Sequence, residues 1–210
     1  MLAGRRILVL APHTDDGELG CGATIVRAIE EGSDVYYVAF STAEESVPAG
    51  FPKNQLEIEV REATEILGIP GSNLLVFNYA VRKLNYVRQE LLEELIRLQL
   101  DIQPDLVFMP CLHDIHQDHS TVAMEGLRAY KNCSILGYEL IWNNLSFDTD
   151  CFISINETQL DRKIVALQAY KTQNGKPFMD PAFIRSLAKV RGTQIGTGYA
   201  EAFEVIRWIF

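Results

Sequence analysis

The stretch Arg6-Ile7-Leu8-Val9-Leu10-Ala11-Pro12-His13-Thr14-Asp15-Asp16-Gly17-Glu18 decides how the rest of the chain is read. Ile7–Leu10 is continuously apolar, the pattern of a strand buried on both faces of a parallel sheet. The chain then turns polar, and between Gly17 and Glu31 the residues Leu19, Ile25, Val26 and Ile29 fall near helical spacing. A buried strand that passes through a short polar turn into a helix opens a βαβ unit. The alternation continues outward. Strands are expected at Val35–Phe40, Leu74–Phe77, Leu106–Met109 and Ser134–Ile141. Helices are expected at Lys53–Leu67, stopped by Gly68, Pro70 and Gly71, at Tyr86–Leu100, and from Asp118, read as an N-cap, to Tyr130. Ser41–Pro52 reads as a loop, with Pro48, Gly50 and Pro52 in it. Beyond residue 150 come a short strand at Cys151–Ile155, helices at Glu157–Tyr170 and Pro181–Val190, and a terminal strand at Phe203–Ile209. The expected class is α/β: a Rossmann-like three-layer sandwich around a mostly parallel sheet, with residues 1–210 forming one domain.

Composition narrows the function classes. The chain has 210 residues and is 48% hydrophobic and 22% charged, which excludes a disordered chain. Its 19 basic and 28 acidic residues leave a net charge of −9, which argues against a nucleic-acid partner. No uncharged run approaches the ~20 residues of a membrane span. The apolar run at the N-terminus is too short for the core of a signal peptide, so the chain is read as cytoplasmic. Cys21, Cys111, Cys133 and Cys151 are widely spaced, with no C-x-x-C pair, and read as buried free thiols. Cys111 is the one beside a functional cluster. The apolar tail Val205-Ile206-Arg207-Trp208-Ile209-Phe210 reads either as a homo-oligomer interface or as a buried edge strand.

All 4 histidines lie in two segments: His13 in Pro12–Glu18, and His113, His116 and His119 in His113-Asp114-Ile115-His116-Gln117-Asp118-His119. The first follows strand one and the second follows strand four. In a doubly wound sheet these strands flank the point where strand order reverses, and ligands bind there, outside the carboxyl ends. Two segments about a hundred residues apart therefore converge, bringing imidazoles and carboxylates together. The rival is a dinucleotide site on Gly17-Glu18-Leu19-Gly20-Cys21-Gly22. The G-x-G-x-x-G fingerprint fails because Ile25 stands where the third glycine belongs. Asp15, Asp16 and Glu18 would also repel a pyrophosphate, whereas as ionised side chains they are stabilised by a helix N-terminus. His with carboxylate and an open position is the pattern of a catalytic divalent-metal site. No H-E-x-x-H is present to support a zincin peptidase.

These residues resemble a known family. Ala11–Glu18 is similar to the P-H-x-D-D-x-E motif of the PIG-L/LmbE-like zinc-dependent N-deacetylases, and His116-Gln117-Asp118-His119-Ser120-Thr121-Val122 to their H-x-D-H-x-x-V motif. Weaker likeness runs through Ala63–Gly68, Lys163–Gln173, Arg191-Gly192 and Tyr199-Ala200-Glu201-Ala202-Phe203. The resemblance implies a Rossmann-like fold and removal of an N-acetyl group from an N-acetylglucosamine-type sugar. It implies that His13, Asp16 and His119 hold Zn2+, or another divalent metal. Asp15 would be the general base. His116, oriented and kept charged by Asp118, would act on the oxyanion or the leaving amine. The sequence departs from the family where some members carry a tyrosine, at Asp114, and an arginine after the second strand, where only Lys53 and Arg61 are near.

Amide hydrolysis needs a nucleophile, a polarised carbonyl and a proton for the amine. Three protein ligands leave a position on the metal for water, whose pKa falls to about 7. Candidate substrate contacts are Arg191, Trp142 at the end of strand five, where an indole could stack on a sugar ring, Lys53 and Asp114. His113 and Asp114 are read either as lining the mouth or as plain loop residues, and Glu44 and Glu45 either as binding sugar hydroxyls or as a solvated loop. The expected partner is a small amino-sugar derivative. The alternatives are a zinc-dependent amidase acting on a non-sugar amide, and a non-catalytic Rossmann-type module that binds sugar or nucleotide.

Overall fold

In the computed structural model, which describes residues 2–209, the opening strand lies in the middle of the sheet. β1 (Arg6–His13) is buried from Ile7 to Pro12 and pairs in parallel with β2 (Asp34–Ser41) on one side and β4 (Leu106–Pro110) on the other. β3 (Leu74–Val76) extends the sheet beyond β2, and β5 (Ser134–Tyr138) extends it beyond β4, both parallel. The order among the described residues is β3-β2-β1-β4-β5-β7-β6. β7 (Tyr199–Arg207) runs antiparallel to both β5 and β6 (Cys151–Ile155). The sheet is thus mostly parallel, and strand order reverses between β1 and β4.

Helices cover both faces. α1 (Asp16–Glu30), α2 (Gln55–Leu67), α5 (Glu157–Gln168) and α6 (Pro181–Gln194) lie on one side, around Val9, Tyr37, Phe108 and Phe203. α3 (Arg88–Ile102) and α4 (Gln117–Ala129) cover the other, around Leu8, Leu10, Val38 and Met109. Neighbouring residues of β1 enter opposite cores, as the two-residue period of a strand requires.

Several boundaries move. β1 runs on to His13, so that histidine stands at the tip of a buried strand and not in a free loop. The N-cap of α4 is His116, whose Nδ1 accepts from the Asp118 backbone N–H; Asp118, expected as the cap, sits in the first turn. β5 ends at Tyr138, and β7 begins at Tyr199, earlier than the alternation of residues 203–209 implied. Phe210 of the expected tail strand lies outside the described residues. Up to Arg207 the tail pairs as β7 between β5 and β6, so it is an inner strand and not an edge. All four cysteines are free, three of them buried. No helix among the described residues is long and apolar enough to cross a membrane.

The glycines that suggested a nucleotide loop have a packing reason. A Cβ at Gly20 would stand 2.4 Å from the Tyr138 ring, and one at Gly17 would stand 2.5 Å from the Tyr37 ring. α1 lies this close to the sheet because two buried tyrosines press on it, which only glycine tolerates.

Candidate active site

The first cluster is carried by the tip of β1 and the start of α1, the second by the β4–α4 connection. Parallel pairing of β1 with β4 brings their carboxyl ends side by side. His13 Nδ1 is 3.1 Å from Asp16 Oδ2, His119 Nε2 is 3.3 Å from the same oxygen, and the two nitrogens are 3.2 Å apart. Tetrahedral donors at about 2.0–2.1 Å from a common ion lie about 3.3–3.4 Å from one another. One imidazole nitrogen from each histidine and one carboxylate oxygen therefore form a triangle of the size that a Zn2+-like ion requires. His116 stands beside it, and the three histidines offer nitrogens within 4.8 Å of one another.

Each ring of the triangle is held from behind by its own carboxylate. His13 Nε2 lies 2.9 Å from Asp118 Oδ2, and His119 Nδ1 lies 2.8 Å from Asp114 Oδ2. Such pairing fixes the tautomer, turns the other nitrogen toward the metal and raises its basicity. Without an ion, burial lowers the affinity of both rings for a proton. Asp16 and these partners outweigh it, so His13 is raised to about 9 and His119 to about 10. Asp16 moves the opposite way, held well below the usual carboxylate range by the two imidazoles against the effect of its burial. Two imidazoles and a carboxylate, set in a triangle with the open cleft before them, suit a divalent cation that displaces the imidazole protons.

Asp118 therefore serves His13, not His116 as the resemblance implied. Its oxygens also accept the backbone N–H groups of Arg82 and Leu84, at 2.6 and 3.2 Å. His116 loses that expected partner. Its Nδ1 is used in capping α4, and burial together with the neighbouring His119 and His13 lowers its pKa. It is a neutral imidazole whose remaining nitrogen, Nε2, carries the proton, not a charged one.

Asp15 lines the cleft at the start of α1. Burial first, and then Asp16, raise its carboxyl to about 6. Glu18, expected from the sequence to be ionised beside Asp15 and Asp16, instead turns away beneath the loop, completely buried. Its carboxyl meets the hydroxyls of Tyr37 and Tyr170, and both hydroxyls also approach the Thr14 carbonyl, at 2.9 and 2.7 Å. Two phenolic protons serve only two of these four oxygen–oxygen contacts, and a proton on Glu18 serves a third. Burial agrees, raising Glu18 to about 8. The floor of the loop between β1 and α1 is a neutral network.

The cleft holds about 250 Å³ and is also lined by Arg82, Trp142, Asn143, Gln173 and Phe178. Trp142 faces it with its ring stacked on Phe178, centroids 4.5 Å apart. The other expected substrate contacts lie elsewhere. Asp114 is buried behind His119. Lys53 is exposed on the turn before α2, away from the lining. Arg191, on α6, pairs with Glu139 just beyond β5 and borders a second, small cavity of about 30 Å³. His113 is exposed, and Glu45 faces Arg82 and Lys83 across 3.9 and 3.7 Å of solvated surface. Cys111 is buried, bonded by the Asn144 amide and pushed up to about 12, so it is no nucleophile. Reading the sequence missed Arg82, which adopts a left-handed backbone at φ 64° so that its N–H reaches Asp118. A non-glycine residue carries no local signal for that conformation.

Comparison with known proteins gives the family of the chain. The family described as PIG-L: GlcNAc-PI de-N-acetylase matches residues 8–130, more than half of the chain and both clusters. The uncharacterized deacetylase YaiS of Escherichia coli is 29% identical over 172 residues, covering 79% of this chain and 90% of its own. The N,N'-diacetylchitobiose deacetylase from Pyrococcus horikoshii superposes with a TM-score of 0.79 at 21% identity, over 96% of this chain and 84% of that one. A 4-carboxy-2-hydroxymuconate hydratase from Pseudomonas putida superposes equally well, with a TM-score of 0.80 at 18% identity, over 98% of both chains. The fold thus carries two chemistries, and the reaction must be argued from the site.

Proposed function

Given that the chain belongs to the PIG-L family, we propose that it is a divalent-metal-dependent N-deacetylase that releases acetate and a free amine from an N-acetylated amino-sugar derivative, with zinc as the fitting ion. The observation that carries the reading is the triangle of His13, Asp16 and His119, each histidine backed by a carboxylate, with Asp15 beside it. His13, Asp16 and His119 would hold the ion. When bound, a divalent ion supplies a Lewis acid for the amide carbonyl and lowers the pKa of water toward about 7.

The protein groups supply the proton traffic. Asp15, adjacent in sequence to ligand Asp16, accepts the proton that water loses on attack. A carboxyl raised to about 6 is close enough to neutrality both to take a proton and to return it. His116 donates from Nε2, as a neutral imidazole, to the oxygen on which negative charge develops. Asp15, protonated by then, is the group that delivers a proton to the leaving amine. Trp142 and Phe178 form an apolar wall on which the carbon face of a pyranose packs. Gln173 and Asn143 supply amides for hydroxyls.

The test is acetate release from a panel of N-acetyl sugars, measured on metal-loaded enzyme and on Asp15→Asn. The variant should keep its metal and lose about a hundredfold to ten-thousandfold in turnover. A fully active variant overturns the role of Asp15. Hydration of an unsaturated dicarboxylate with no acetate from any amide overturns deacetylation itself.

A further inference from the structure

α1 is broken where it leaves the site. Cys21 has φ −143° and ψ 22°, so the turn that carries Asp15 and Asp16 is a separate piece from the helix beyond. In an unbroken helix the Ala23 N–H would donate to the Leu19 carbonyl and the Thr24 N–H to the Gly20 carbonyl. At the break both N–H groups donate to Glu201 of β7, at 3.2 and 2.7 Å. The Leu19 carbonyl accepts from Lys163 Nζ of α5 at 2.7 Å. Lys163 and Glu201 are themselves paired at 2.6 Å, both almost fully buried. One side chain thus closes the end of the first piece, the other closes the start of the second, and their ion pair joins the two across the break. Gly22 makes room, since a Cβ there would stand 3.0 Å from the Lys163 stem. Among the described residues the Thr24 hydroxyl, just past the break, is buried without a partner.

A buried ion pair is a poor device for stability alone, because desolvation consumes most of its Coulombic gain. Its placement points to another role. Lys163 shares α5 with the segment that ends in Tyr170, whose hydroxyl holds the Thr14 carbonyl in the same loop. The two weaker sequence segments, Lys163–Gln173 and Tyr199–Phe203, thus meet α1 at its break, and Tyr170 also holds the loop just before the helix. Lys163, Tyr170 and Glu201 themselves do not line the cleft.

We propose that Lys163 and Glu201 are positioning residues for the metal centre: they hold the broken first turn of α1 at the angle that brings Asp16 into line with His13 and His119 and leaves Asp15 beside them. The inference rests on the metal reading above, and its readout is the metal itself. Cobalt(II) is titrated into metal-stripped wild type, Lys163→Met and Glu201→Gln, and its visible absorption band and affinity are recorded along with melting temperature. Both variants should bind cobalt about 10–100-fold more weakly, with a shifted band, as loss of a group supporting a ligand does. Variants that match the wild type in band and affinity, whatever their melting temperature, overturn the proposal. So does failure of both to fold, which would assign the pair to the fold alone. Glu201→Gln preserves shape and an acceptor oxygen, so it carries the test if Lys163→Met does not fold. A wild type that binds no cobalt refutes the metal reading instead, and shows this before any variant is made.

Discussion

Replacing Glu18 with Gln should stabilise the metal-stripped protein at neutral pH and leave it nearly unchanged in acid. The carboxyl rises from 4.5 to about 8 in the fold because it is buried among tyrosines. Between those values the folded chain binds a proton that the unfolded chain has released, so wild-type stability falls as pH rises. The slope in that window is about 1.4 kcal/mol per pH unit for one group. From about pH 5 to about pH 7 the wild type should therefore lose about 2.5 kcal/mol that Glu18→Gln keeps, since the amide carries no charge to desolvate. Other titrating groups, including His13, Asp16 and His119, are common to both proteins and cancel in the difference. The assay is urea unfolding of both proteins, in chelator, at several pH values in this window. Two stability curves that run parallel within about 0.5 kcal/mol would show Glu18 ionised in the fold and refute the neutral network beneath Thr14.

Three further outcomes follow from the same geometry. Asp114→Ala removes the carboxylate behind His119 and should weaken zinc affinity about 10–100-fold, as read by chelator competition, although Asp114 does not touch the ion. Zinc uptake at about pH 7.5 should release about one to two protons, because His13 and His119 are raised to about 9 and 10 before the ion arrives; calorimetry in buffers of different ionisation enthalpy counts them, and no release would contradict the shared charge of the triangle. Gly20→Ala places a methyl group against the Tyr138 ring near its attachment to the backbone and should cost about 1–3 kcal/mol in denaturant unfolding.

The sequence by itself determined the alternation of strands and helices, the strand-end location of both clusters and the residues they contain. Periodicity and apolar runs are local properties, and right-handed parallel crossovers leave little choice about where β1 and β4 end. Boundaries blurred where tertiary pairing overrode local pattern, as in β7, whose earlier start is set by β6 alongside it. Only the tertiary structure decided which carboxylate serves which imidazole. Asp118 and Asp114 are neighbours of three histidines in sequence, and nothing local says that one reaches across to His13 while the other turns back to His119. Nor could the sequence show Glu18 to be neutral, because a carboxyl at a helix start is normally stabilised as an anion, and burial under Tyr37 and Tyr170 reverses that. The two segments holding the break in α1 were visible as residues but had no assigned role. Their meaning lies in hydrogen bonds between groups as many as 178 positions apart, which exist only once the chain has closed around its core.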